Sequence, residues 1–440
     1  MNHHHRLAML ASVILASGCA PVDEVTSATS ALTGPAPQPP TNQGVVGPMG
    51  TNTWSSAADP NRWSNLVLAD INGDGLDDLC GNYGDTWGCA LRSATRTVFE
   101  GFVESRDVAV FYNESVRMAD INGDGRADAC GRYLGYQCVL SRGSSFSAPI
   151  TYIADWSTAN GWRASEYQST VMIGRLEGNA GGLDICARGV AGVLCYVYVG
   201  AGLPMVALPA ITAFSDGNGW RAPEYYSTLA MADVNGDGRM DVCGRGSAGV
   251  WCAVYDHLYR RFRPATLWTG SDAATRQFAD ADGWNSDRYY TSLRFGDVNG
   301  DAVSDVCGRG TDGVYCGISD GSGAFLGARN LVIPGMSDAA GFGSTYNRGT
   351  MTLVDYDQDG RRDVCMVGDY LAPTWSGTML RHEIYCARSR SWILSFDAAT
   401  RRTDLSSILD RVTSGRIRAG ARGFCYVDAG GRDVQCTNAW

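Results

Sequence analysis

The chain has 440 residues, 45% of them hydrophobic and 19% charged, with a formal net charge of −10 and arginine as its only strongly basic residue. An acidic chain argues against nucleic acid as a partner, because phosphate binding asks for a positive surface. Apart from one short N-terminal run, no stretch is apolar enough to suggest a membrane-spanning helix.

The first segment reads as targeting. Arg6 is followed by an apolar run from Leu7 to Ala16, too short to span a bilayer, and then by Leu15-Ala-Ser-Gly-Cys19. This is the pattern of a secretory signal peptide. The residues before Cys19 resemble the lipobox of bacterial lipoproteins, with Ala16 where Leu is commoner. The resemblance implies a signal peptide over 1–18, lipid on Cys19, and a secreted protein lipid-anchored to the bacterial envelope, touching membrane only through that lipid. His3, His4 and His5 fall in the removed segment and are not read as a metal site. Residues 19–49, with Pro35-Ala-Pro-Gln-Pro-Pro40, cannot build a core and read as a disordered tether. Residues 50–440 are rich in glycine and aromatics and too numerous for one ordinary core, which points to stacked small units.

Five acidic loops recur in that region. They are Asp70-Ile-Asn72-Gly-Asp74-Gly-Leu76-Asp-Asp78, Asp120-Ile-Asn122-Gly-Asp124-Gly-Arg126-Ala-Asp128, Asp233-Val-Asn235-Gly-Asp237-Gly-Arg239-Met-Asp241, Asp297-Val-Asn299-Gly-Asp301-Ala-Val303-Ser-Asp305 and Asp355-Tyr-Asp357-Gln-Asp359-Gly-Arg361-Arg-Asp363. Side-chain oxygens at positions 1, 3, 5 and 9 and a backbone carbonyl at 7 suit a hard cation that takes six to eight oxygens, so five Ca²⁺ ions are expected. Such ions would cancel most of the formal charge. An EF-hand needs Glu at position 12, where this chain has Gly81, Gly131, Gly244, Gly308 and Met366. The flanks are strand-like, which puts the loops in β-hairpins. A third unit carries Arg175-Leu-Glu177-Gly-Asn179 in place of the acidic loop, keeping Asp184 before Cys186. That loop is expected to be metal-free, with Arg175 pairing Asp184.

Cys19 aside, the cysteines fall into seven neighbouring pairs: Cys80/Cys89, Cys130/Cys138, Cys186/Cys195, Cys243/Cys252, Cys307/Cys316, Cys365/Cys386 and Cys425/Cys436. With Ser247-Ala248 as a hairpin turn, Cys243 faces Cys252 across a ladder, within disulfide reach. Gly430-Gly431 does the same for Cys425 and Cys436. Each unit reads as an inner strand (Ser227 to Ala232), the loop, a second strand (Asp241 to Gly246), a third (Val250 to Asp256) and a fourth near Arg260 to Leu267. Four antiparallel strands repeated about an axis make an all-β propeller, and seven cysteine pairs suggest seven blades with one local disulfide each. The seventh unit lacks an acidic loop and would close with a strand from the start of the domain. Six blades with an appendage is the other arrangement.

The acidic loop between two strands, repeated about every sixty residues, resembles FG-GAP/VCBS repeats, which occur in integrin α-subunit propellers and in secreted bacterial proteins. The resemblance covers about residues 50–440. It implies a propeller with Ca²⁺ loops on one face and ligand binding on the other. Where integrin blades continue Leu-Leu-Val-Gly-Ala-Pro after the loop, this chain has Val-Cys-Gly-Arg, so no integrin ligand carries over.

A second repeat lies between units: Asn160-Gly-Trp162-Arg163-Ala-Ser-Glu166-Tyr167, Asn218-Gly-Trp220-Arg221-Ala-Pro-Glu224-Tyr225-Tyr226, Asp282-Gly-Trp284-Asn-Ser-Asp287-Arg288-Tyr289-Tyr290 and Gly341-Phe342-Gly-Ser-Thr-Tyr346. Arg132, Arg188, Arg245 and Arg309 end second strands. Together they could form an aromatic and arginine ring opposite the calcium loops, able to hold an extracellular glycan or a surface protein. The same Trp can instead be a packing wedge, and the Arg can pair with Glu166 or Glu224. The reading favours a monomeric binding or adhesion module. The alternatives are a purely structural surface protein, or a propeller enzyme such as a polysaccharide lyase or glycosidase with its site at the central mouth. No catalytic residue is assigned: beyond the signal peptide only His257 and His382 remain, and no Gly-x-Ser-x-Gly occurs.

Overall fold

A computed structural model describes residues 67–440 except 84–85, 93–98, 178–180, 201, 271–276, 328–329, 345–346, 348, 356, 358, 375–376, 392–394, 402–411, 421–422, 429–433 and 439–440. The signal peptide, Cys19, the tether, Tyr346 and the Gly430-Gly431 turn therefore lie outside the described residues. No helix among those described is long and apolar enough to cross a membrane.

The protein is an all-β propeller of small antiparallel sheets. Six of them form blades, five with four strands and one, the fifth, with Phe325–Leu326 as an additional strand paired to its third. Their strands are Val67–Ala69, Asp78–Tyr83, Thr86–Arg92 and Phe99–Ser105; Arg117–Ala119, Asp128–Arg132, Tyr136–Val139 and Ile150–Ile153; Met172–Gly174, Asp184–Gly189, Gly192–Val197 and Val206–Ala207; Ala230–Ala232, Asp241–Gly246, Gly249–Ala253 and Thr266–Leu267; Arg294–Gly296, Asp305–Gly310, Gly313–Ser319 and Leu331–Ile333; and Thr352–Val354, Asp363–Thr374, Gly377–Ala387 and Thr400–Arg401. They are numbered one to six here. The expected seventh unit is a three-stranded sheet of Val412–Gly420, Gly423–Asp428 and Val434–Asn438. Six blades, one fewer than the cysteine spacing suggests, thus have the full complement of strands. Successive inner strands neighbour one another from blade one to blade six.

Cysteines hold each ladder in register, because each pair stands directly opposite across the second and third strands. Six disulfides form within blades: Cys80–Cys89, Cys130–Cys138, Cys186–Cys195, Cys243–Cys252, Cys307–Cys316 and Cys365–Cys386, with Cα separations of 4.0–4.2 Å. Cys89, Cys138, Cys316 and Cys386 are at most 1% exposed, as are Cys195, Cys252 and all six first cysteines. These sulfurs are therefore internal cross-links and take no part in a ligand or metal surface. Cys365 and Cys386 stand 21 residues apart, and not across a tight turn, because Asp363–Thr374 and Gly377–Ala387 continue as a long hairpin beyond them. Cys425 faces Cys436 in the backbone register, while their side chains lie outside the description. Disulfides in this number belong to an oxidising, extracellular-type compartment.

The boundaries of blade four differ from the sequence reading in three strands, the fourth being confined to Thr266–Leu267. The inner strand of blade four starts at Ala230, because Pro223–Tyr226 forms a helical turn whose end is tied by the Ser227 hydroxyl donating to the Pro223 carbonyl at 2.6 Å. The third strand stops at Ala253. Tyr255–Asp256 then pairs with Arg261–Phe262 as a separate ribbon.

The apolar cores lie between blades. One cluster joins Cys130 and Tyr136 of blade two to Ile185 and Ala187 of blade three through Trp156 and Trp162. The next two repeat this with Phe214 and Trp220, then with Phe278 and Trp284. In all three the paired rings lie 4.6 Å apart at their centroids. Gly161, Gly219 and Gly283 take φ of +84° to +85° just before each Trp, which a side chain would resist. Each Trp then lies on a strand bared by glycine. A Cβ added at Gly244 would sit 2.9 Å from the Trp220 ring, and one at Gly308 2.8 Å from Trp284.

Candidate functional site

The acidic loops share one internal geometry. In the loop of blade four, Asp233 Oδ1 accepts from the amides of Gly236 at 2.7 Å and Asp237 at 3.2 Å, and its Oδ2 accepts from Gly238 at 2.8 Å. Asn235 Oδ1 accepts from the Asp237 amide, and Asp237 Oδ1 from that of Arg239. The loop is therefore wound so that the oxygens of positions 1 and 3 meet at the Asp237 amide. The position-9 carboxylate is fully buried: Asp241 Oδ2 takes the Val234 amide at 3.1 Å and Oδ1 takes Tyr255 at 2.8 Å. Burial pushes Asp78, Asp128, Asp241 and Asp305 up to about 7, and the carboxylates at positions 5 and 1 push the same way. A cation would relieve both effects. In the fifth loop, carboxylate oxygens of Asp355, Asp357 and Asp363 lie within 4.8 Å of one another. The donor set is hard oxygen throughout, so the residues present fit Ca²⁺.

The loops also form a belt. The position-8 amide of one loop donates to the position-1 carbonyl of the loop before it: Ala127 to Asp70 at 2.7 Å, Ser304 to Asp233 at 2.7 Å and Arg362 to Asp297 at 2.8 Å. Met240 does the same to Arg175, where the acidic pattern is missing. Arg175 does not pair with Asp184. Asp184 instead accepts the amides of Leu176, Glu177 and Tyr198, so this position staples the backbone even where the other ligand positions are lost. Glu177 accepts from the Tyr255 hydroxyl and from Arg260 of the next blade.

The second-strand arginines are buried and do not spread over an exposed ring. Arg132, Arg188, Arg245 and Arg309 are at most 2% exposed. Three of them form a repeated latch to the next inter-blade segment. Arg188 pairs with Asp216, Arg245 with Asp280 at 2.7 Å, and Arg309 with Asp338. The same carboxylates accept the hydroxyls of Tyr167 at 2.7 Å, Tyr225 at 2.6 Å and Tyr289 at 3.0 Å. The partners are thus these Asp residues, not Glu166 or Glu224, because the inter-blade segment brings them directly over the strand end. Glu166 pairs with the exposed Arg221 at 3.0 Å. Trp162, Trp220 and Trp284 are 3–6% exposed and act as wedges. Tyr226 and Tyr290 are half-buried, and Arg163 is exposed.

One open cleft does gather sugar-like chemistry. A cavity of about 350 Å³ in blade five is lined by Gln277, Asp282, Trp284, Tyr289, Thr311, Asp312 and Tyr315. It sits at the Gly310–Gly313 turn, the opposite end of Asp305–Gly310 from the acidic loop. The Trp284 ring and the half-buried Tyr315 ring meet nearly at right angles, with centroids 6.4 Å apart. Carboxylate, amide and hydroxyl groups line the remainder. Trp284 and Tyr289 were anticipated from sequence, whereas Gln277, Thr311, Asp312 and Tyr315 were not. Only Tyr315 had a repeated signal, the residue before the second cysteine of a pair, which is Trp251, Tyr315 and Tyr385 in blades four to six.

No protein-family model and no curated protein matches the sequence. Solved structures do. A lectin of Agrocybe aegerita, described as specifically recognising non-reducing terminal N-acetylglucosamine, is similar over 76% of this chain and 79% of its own, with a TM-score of 0.63 at 23% identity. That likeness shows the propeller fold. A Photorhabdus luminescens Tc holotoxin pore structure matches at a TM-score of 0.42 and 16% identity, with 15% of that chain covered.

Proposed function

We propose that this protein is a calcium-stabilised, lipid-anchored surface module that binds extracellular glycans through clefts on the turn face, opposite the acidic loops. The cleft bounded by Trp284 and Tyr315 carries the reading. The half-buried Tyr315 ring, backed by the Trp284 wedge, suits the apolar face of a pyranose, and the exposed Asp282 and Asp312 carboxylates suit its hydroxyls. The similar fold of a lectin that recognises terminal N-acetylglucosamine supports a sugar over a protein ligand and makes that sugar the first probe. Calcium acts as a structural element, held by side chains at positions 1, 3, 5 and 9 of the five loops and the carbonyl at 7. It would neutralise the loop carboxylates and stiffen the belt. The sheet of residues 412–438 is the seventh blade of this reading, since Val412–Gly420 neighbours the inner strand of blade one. The FG-GAP/VCBS resemblance agrees with that organisation.

Calorimetric titration of the calcium-loaded domain with N-acetylglucosamine tests the reading. Tyr315→Ala and Asp312→Asn should both lose binding; Asp312 is exposed, so its variant should melt as the wild type does, whereas Tyr315 packs against Trp284, so its variant should melt lower yet remain folded. Unchanged binding in both folded variants would refute the assignment.

A further inference from the structure

The arginine latch has one exception, and the exception leaves a buried guanidinium without an acid. Asp216 and Asp280 begin the short helical turns Asp216–Asn218 and Asp280–Asp282, and each carboxylate meets a buried arginine there. The corresponding turn after blade two is Thr158–Asn160, with Thr158 in the place of the aspartate. The arginine is still present. Arg132 is 1% exposed, and its amide is held by the Ser115 hydroxyl at 2.8 Å, as Arg188, Arg245 and Arg309 are held by Thr170, Thr228 and Ser292. The tyrosine is present too, since the Arg132 guanidinium lies 4.1 Å from the Tyr112 ring centroid.

Only the carboxylate is missing. Among the described residues no acid pairs with Arg132. Its Nη1 donates to Thr158 Oγ1 at 3.1 Å and its Nη2 to Gln168 Oε1 at 3.4 Å. Gln168 in turn donates to Glu114 at 3.0 Å, so the acid that this hydrogen-bond chain reaches is one amide removed. The buried Nε of Arg132 has no partner; two Arg245 nitrogens share that state, so it is the lost carboxylate that sets Arg132 apart. A buried guanidinium without a counter-charge is costly. A second cation, Arg163, acts on the same spot. It disfavours the charge on Arg132, though less than burial does, and with Arg132 it adds to the Thr158 hydrogen bond in drawing the Tyr112 phenol below its usual range. Thr158 and Arg163 are exposed, so the niche reaches solvent on the turn face.

We propose that Arg132, Arg163, Thr158 and Tyr112 form a binding site for the carboxylate of an acidic sugar, which takes the place that Asp216, Asp280 and Asp338 occupy in the other latches. The sugar half of this statement rests on the glycan reading above; the carboxylate half rests on the latch itself. Guanidinium donors favour carboxylate geometry, and the internal aspartates supply the template.

The test titrates the calcium-loaded domain with sodium glucuronate, with glucose and sodium acetate as controls. Glucuronate should bind at least about tenfold more tightly than glucose or acetate. Thr158→Asp rebuilds the latch from within. It should weaken glucuronate at least about tenfold, leave N-acetylglucosamine binding unchanged, and melt no lower than wild type. Arg163→Gln, at an exposed position, should weaken glucuronate without unfolding the domain. Equal affinity for glucuronate and glucose, equal affinity for glucuronate and acetate, or undiminished glucuronate binding by Thr158→Asp would each overturn the proposal. Loss of N-acetylglucosamine binding alone, with the glucuronate response intact, would refute the cleft reading and uphold this site.

Discussion

Asp280→Ala isolates what the arginine latch contributes. Arg245 is completely buried in its side chain, and Asp280 is 30% exposed. Removing the carboxylate leaves the guanidinium with the Phe278 carbonyl at 3.1 Å and the Gly246 carbonyl at 3.3 Å, and it strips the Tyr225 hydroxyl of its 2.6 Å acceptor. Breaking a fully buried pair costs about 3–5 kcal/mol. The partial exposure of Asp280 and the remaining carbonyls reduce this to about 2–3 kcal/mol. Asp280→Asn, which keeps an acceptor but not the charge, should cost about half as much. The internal control is Arg263→Ala. That residue's side chain is 66% exposed and 3.3 Å from Asp256, and its loss should cost no more than about 1 kcal/mol. Isothermal urea unfolding in saturating calcium measures all three. A loss for Asp280→Ala no larger than that for Arg263→Ala would refute the view that buried latches tie the blades together.

Further outcomes follow from the loops and disulfides. Chelation should lower the melting temperature reversibly, with site affinities of about 10⁻⁴–10⁻³ M. Counting bound metal should show five ions, one fewer in Asp237→Ala and no change in Asp184→Ala, which nonetheless loses stability because its carboxylate holds three amides. Ala302 holds φ +67° where the other four acidic loops have glycine, and at the equivalent Gly238 an added Cβ meets nothing within 4 Å. Ala302→Gly should therefore stabilise by about 0.5–1 kcal/mol in urea unfolding, through backbone strain alone. Mass mapping of the non-reduced protein should find the six intra-blade bridges together with Cys425–Cys436; a bridge between blades, such as Cys186 to Cys252, would contradict the blade assignment.

The ladder was legible in sequence because its markers are local. Cys243 and Cys252 flank a tight turn, so spacing alone gave the register, and Asp241–Gly246 emerged at the bounds expected. The acidic loops were legible for the same reason. What sequence left open depended on which surfaces meet. The repeated Gly-Trp motif was compatible with a ligand ring or a wedge. The Gly-x-Gly stretch that accepts the Trp ring lies in the second strand of the blade that follows, beyond the helical turn and the acidic loop, so Trp220 meets Gly244 and Trp284 meets Gly308 only once the blade is folded. Arg188 and Asp216 are 28 residues apart, and nothing in their spacing marks them as partners. Tyr315 was hidden behind its neighbouring cysteine, since its half-buried state is a property of the blade edge and not of the strand pattern.

A crystal structure of the calcium-loaded domain soaked with an N-acetylglucosamine disaccharide would test the central claim most directly. The account predicts ions in the five acidic loops and a sugar ring against Tyr315, with hydroxyls on Asp282 or Asp312. Sugar density confined to the acidic-loop face or the central mouth, with the Trp284 cleft empty, would contradict it.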